Sequence, residues 1–199
     1  MNDSLLYHQG NRDLQDSFGS RALADRLESF ARTTFTDDDK AFIESMPYFF
    51  IATADAHGRP DCSFKGGLPG FVRVTAPNEL VFPDYDGNGM FRSLGNLQTN
   101  AAVGLLFLRM HDEPKRLRVT GTARVLRDDP LMAEMAGAQM IVRVKPSTIF
   151  PNCPRYIPAM TLKEHSIYAP KPGTAPTEPA WKAMACFDDV VPPRAPTQR

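Results

Sequence analysis

A mainly β, antiparallel fold with flanking helices is what this 199-residue sequence predicts. The apolar period switches from 3.6 to 2 at Tyr48, and several short extended segments then follow one another with turn clusters between them. A single helical stretch, residues 90–99, interrupts those segments, whereas a doubly wound parallel sheet would alternate helix and strand throughout. At roughly 100 to 200 residues per domain the chain makes one core-bearing domain, here with arms at both ends. We divide it into an N-terminal arm and helix (1–35), a barrel domain (36–150) and a C-terminal extension (151–199).

Residues 20–32 place Leu23, Leu27 and Phe30 at helical spacing behind Ser20, which can act as an N-cap. A second helix starts at Thr36. Its hydroxyl can cap, Asp37, Asp38 and Asp39 complement the positive end of the helix dipole, and Ala41, Phe42 and Met46 form the apolar stripe up to Pro47. Three adjacent carboxylates on a helix point in different directions, which argues for capping over metal binding. The extended segments are 48–54, 60–65, 71–75, 79–82, 102–108, 116–126 and 139–145. They supply at least the six strands of a barrel. In 116–126 the alternation puts Leu117, Val119, Gly121, Ala123 and Val125 on one face and Arg116, Arg118, Thr120, Thr122 and Arg124 on the other. Ten of the 18 prolines fall in 151–199, so that part is expected to wrap a surface in extended form.

Composition narrows the partners. There are 23 Lys+Arg and 23 Asp+Glu, a balance that offers no bulk positive charge for nucleic acid. The balance is uneven along the chain, with 5 basic and 10 acidic residues in 1–58 but 10 basic and 6 acidic in 59–127. No apolar run approaches the roughly 18 residues of a membrane span, the N-terminus lacks a signal pattern, and Cys62, Cys153 and Cys186 are too scattered for a disulfide framework or a zinc site. A cytoplasmic protein with no metal, membrane or nucleic-acid partner is the expectation.

Two segments can carry chemistry. In CSFKGG (62–67) Ser63 and Lys65 share one face of a strand and the paired glycines allow close approach to the backbone, making an anion-binding edge; the same residues also read as a solvated hairpin end. In DYDGNGMFRSLGNL (84–97) a glycine-rich turn leads into a helix where Arg92 and Ser93 offer a cationic fork and a hydroxyl, or simply a surface Arg. Neither GxxxxGK[ST] nor GxGxxG after a strand is present, and His8, His57, His111 and His165 form no triad with a nucleophile.

In their order, FFIATADAHGRPDCSFKGG (49–67), LVFPDYDGNGMFRSLGNLQTNAAVGLLF (80–107) and RLRVTGTARV (116–125) resemble the pyridoxamine 5'-phosphate oxidase-like flavoproteins. FPNCPRYI (150–157) looks like a hallmark of one branch of that group. The resemblance implies a six-stranded antiparallel split β-barrel that forms a homodimer with FMN in clefts at the interface. It would place Cys62, Ser63, Phe64 and Lys65 along the flavin and ribityl chain, Phe82 and Pro83 on the neighbouring strand, Arg92 and Ser93 toward the phosphate, and Asn88 among the cofactor-binding residues. Arg116 would reach the flavin of the partner subunit, and Asn152, Arg155 and Tyr156 would face a small-molecule substrate. Two positions depart from the oxidase pattern: Ser93 stands where the oxidase has Lys, and Pro60 where it has Arg. The tail shows none of the oxidase's recognition residues for pyridoxal phosphate, so the implied activity is a wider FMN-dependent oxidoreduction, not vitamin B6 oxidation. A deazaflavin or haem enzyme in the same barrel, and a flavin-storage protein without turnover, are the rival readings.

Overall fold

The computed structural model describes residues 4–187 and 189–192. Three helices, α1 (Gln9–Ser17), α2 (Arg21–Glu28) and α3 (Asp37–Ser45), precede strands β1 (Tyr48–Ala54), β2 (Pro60–Gly66), β3 (Arg73–Ala76) and β4 (Glu79–Tyr85). Helix α4 (Arg92–Thr99) then leads into β5 (Ala102–Arg109), β6 (Lys115–Leu126) and β7 (Ala138–Asn152). All seven strands join one antiparallel sheet in the order β2-β1-β5-β6-β7-β4-β3. The seven strands match the seven extended segments read from the sequence, one more than the six the family resemblance implies. The shortest, β3, is four residues long and paired only with β4. The sheet does not close by hydrogen bonding, but it curls enough that Lys65 on β2 and Asp84 on β4, first and sixth in the order, stand 3.9 Å apart.

The curl encloses an aromatic core. Phe49 is fully buried, with its ring centroid 4.9 Å from Phe82, 5.3 Å from Phe107 and 5.9 Å from Phe71. Helix α3 adds Phe42, Ile43 and Met46, and α4 adds Leu94 and Leu97. The capping reading of α3 holds in full: the Thr36 hydroxyl accepts from the Asp39 amide at 3.1 Å and the Asp39 carboxylate accepts from the Thr36 amide at 3.0 Å.

Helix α2 differs from expectation. Its apolar stripe faces solvent, Leu23 being 62% and Phe30 56% exposed, and only Ala24 is buried. The reason is a buried polar hub. Arg12 of α1 reaches Asp25 at 2.7 Å and Glu28 at 3.4 Å, and its guanidinium lies over the Tyr7 ring at 4.7 Å, so α1 and α2 pair through charges. After β7 the described chain is mostly irregular, with several turns and one 3₁₀ turn at Ala180–Ala183. It is fastened where the Met160 amide donates to the Met110 carbonyl at 2.8 Å and where Ala169 is buried.

Candidate functional site

The local order of β2 sets one wall of a cleft. Alternation turns Asp61, Ser63 and Lys65 inward and leaves Cys62 and Phe64 more exposed. The opposite wall is the end of β4 with the turn 86–91, whose backbone is left-handed at Gly89 (φ 72°) and Phe91 (φ 46°). The left-handed conformation at a bulky non-glycine residue costs about 1 kcal/mol. It aims the start of α4 at the cleft. No side chain caps that helix, which leaves its first-turn amides without a side-chain acceptor, and Phe91, Arg92, Ser93 and Leu94 border the cleft. The cleft has a volume of about 190 Å³.

Its electrostatics are mixed. Arg92 lies 3.1 Å from Asp61, and the Ser93 hydroxyl donates to the same carboxylate at 3.2 Å. Arg92 is 62% exposed, so solvent screens this pair. Asp84 is buried, and its Oδ2 has no hydrogen-bond partner. Burial raises its carboxyl above the usual range against the opposing pull of Lys65. Burial likewise pushes the Tyr85 hydroxyl up to about 12, so it keeps its proton well above neutral pH.

A raised folded-state pKa means that Asp84 costs stability once ionised: its contribution is most favourable below the unfolded carboxylate pKa and is lost as pH rises through the folded value. Asp84→Asn should therefore raise the urea midpoint at pH 7, and the gain should shrink as pH falls through the carboxylate range. A gain that stays constant with pH would assign the effect to packing.

The expected site residues divide into three groups. Cys62, Ser63, Lys65, Asn88, Arg92 and Ser93 line the one cleft. Phe82 and Pro83 are buried in the strand behind it, and Phe64 turns to the other face of β2, its ring 5.5 Å from that of Tyr48. Arg116 sits elsewhere, lining a separate hollow of about 520 Å³ with Cys153, Arg155 and Tyr156. Arg116 is register partner to Asn152, and its guanidinium donates to the Cys153 carbonyl at 2.7 Å. Within one chain, then, Asn152, Arg155 and Tyr156, expected on the substrate side, accompany Arg116 and not the cleft. Sequence reasoning missed Asp61, Asp84 and Tyr85. Asp61 was legible, since it shares the alternation of Ser63 and Lys65. Asp84 and Tyr85 enter only because the sheet curls.

Among the described residues no three His, Cys, Asp or Glu side chains gather as metal ligands, and no helix is long and apolar enough to cross a membrane.

Residues 35–158, spanning the whole barrel and the turn after β7, match the pyridoxamine 5'-phosphate oxidase family. The chain belongs to that family. Among solved structures it is similar to HupZ of Group A Streptococcus, at 19% identity over 59% of this chain and 93% of that one, with a TM-score of 0.46. It is also similar to an FMN-binding protein of Syntrophomonas wolfei (8% identity, 70% of this chain and 97% of that one, TM-score 0.46). A third is HutZ, a heme storage protein of Vibrio cholerae (22%, 55% and 87%, TM-score 0.41). No curated protein matches the chain.

Proposed function

We propose that the chain is a cytoplasmic, homodimeric oxidoreductase that binds FMN in the cleft between β2 and α4 and acts on a small molecule. The observation that carries the reading is the uncapped N-terminus of α4 opening on the cleft beside Arg92 and Ser93. First-turn amides, a helix dipole, a guanidinium and a hydroxyl form the donor set that a phosphate monoester requires. The fit has one condition. Asp61 holds Arg92 and Ser93, and a phosphate must displace it.

Bound FMN would supply the hydride or electron transfer. Around it, Arg92, Ser93 and the α4 amides would hold the phosphate, while Ser63 and Lys65 would line the ribityl chain and ring along β2. Lys65, leaning on Asp84, would set a positive charge against the flavin, and the protonated Tyr85 would be a donor, not a base. In the dimer, Arg116 with Arg155 and Tyr156 would close the partner's cleft.

Arg92→Ala should weaken FMN binding by about 10- to 100-fold, the loss of one charge-assisted contact next to a carboxylate that then faces the phosphate alone. Asp61→Asn should act in the opposite sense and tighten FMN about 3- to 10-fold by freeing Arg92 and Ser93. Calorimetric titration reads both, and parallel changes would remove the phosphate from α4. Activity is tested by adding reduced nicotinamide to the desalted FMN complex with varied acceptors and following the flavin band. Bleaching and reoxidation with turnover are expected. A retained flavin that never bleaches would make the chain a storage protein, and a band of deazaflavin or haem in the protein as isolated would replace FMN.

A further inference from the structure

Beyond the cleft, the C-terminal extension builds a second chamber that the cofactor site does not use. Its volume is about 250 Å³, and its walls include Tyr85, Tyr168, Trp181 and the prolines 170, 176 and 179. Tyr85, Gly87 and Asn88 line both this chamber and the cleft, so the turn after β4 is the partition between them. The tail is seated for this role. Gly137 has φ +76°, and a Cβ there would stand 2.7 Å from the Pro170 ring, so the absent side chain is what lets Pro170 lie down. Farther along, Lys182 forms an ion pair with Asp86 on the partition, and the Trp181 ring is braced edge-on by Phe187 at 5.6 Å.

The chamber's chemistry differs from that of the cleft. Among the described residues the only charged side chain on its wall is Asp86, which Lys182 neutralises. Three aromatic rings and three prolines favour a flat apolar ligand, because ring faces gain from stacking as well as from area buried. A charged ligand would lose its hydration and find no unengaged counter-charge.

We propose that this chamber is the substrate subsite and that it takes a planar, uncharged aromatic ring system, presented across Tyr85 and Asn88 to the cleft. The inference rests on the flavin reading of that cleft, and the two can fail separately.

Trp181 is the chain's single tryptophan. Full-length protein labelled with 5-fluorotryptophan therefore gives one ¹⁹F resonance, from the chamber wall. Titration with 2-naphthol should move it saturably, whereas phenyl phosphate and cyclohexanol should not. Tyr168→Ala, a change at a 52% exposed residue, should weaken 2-naphthol about tenfold and leave FMN affinity, read from the flavin band, within about twofold. The proposal is overturned if 2-naphthol gives no saturable shift in protein that binds FMN, or if phenyl phosphate binds as tightly. Saturable 2-naphthol binding in protein that takes no FMN would mark the failure as that of the flavin reading alone.

Discussion

Replacing Gly121 by alanine is expected to destabilise the protein by about 3 kcal/mol, the upper end of what overpacking costs. Gly121 lies on β6 at a register shift against β7, and a Cβ built there would stand 2.1 Å from the Lys145 carbonyl oxygen and 2.9 Å from the Pro146 Cα. Both contacts are backbone. A flexible side chain could swing aside, but here β7 itself must move, and it carries the register of both β6 and β4. The urea midpoint reads the effect, and a midpoint equal to that of the parent would mean that the two strands separate freely at this bulge.

The second large effect is Phe49→Ala, expected to cost about 3 to 5 kcal/mol from lost transfer energy and the cavity left behind. In a chain of this length that lowers the Tm by roughly 6 to 20 °C. Phe49 has no exposed surface and stacks or abuts three other rings. It is also the register partner of Lys65, so the cavity opens beneath the strand that lines the cleft. FMN affinity should fall along with stability. Calorimetric unfolding and an FMN titration on the same sample separate the two effects. A drop below about 1 kcal/mol would show that neighbouring rings collapse into the gap.

Much of this was legible in sequence because it follows local rules. Period-2 alternation located the strands, and Thr36 with its acidic first turn located α3. Helix α1 was not legible. QGNRDLQDS has one apolar residue, Leu14, which is itself exposed, and the start depends on His8 and Asn11 capping each other, with Arg12 as a buried hub. The outward stripe of α2 misled for the same reason, since charge pairing rather than apolar burial fixes these helices.

The cleft divides along the same line. Alternation and helix-start chemistry point to Ser63, Lys65, Arg92 and Ser93, which the structure brings to one cleft. They do not point to Asp84 and Tyr85, because only the curl of a seven-stranded sheet sets the end of β4 against β2. The tail's chamber was beyond reach as well. Its walls join residues 85–88 to residues 168–181, and nothing in a proline-rich sequence states where an irregular chain will lie.

The proposed seat of the FMN phosphate is the N-terminus of α4 with Arg92. Parallel titrations of the full-length protein with FMN and with riboflavin, which differ only in that phosphate, test it most directly. FMN should bind roughly 100-fold tighter than riboflavin, as several charge-assisted contacts require. Equal affinity for the two, or saturable binding of neither, would contradict it.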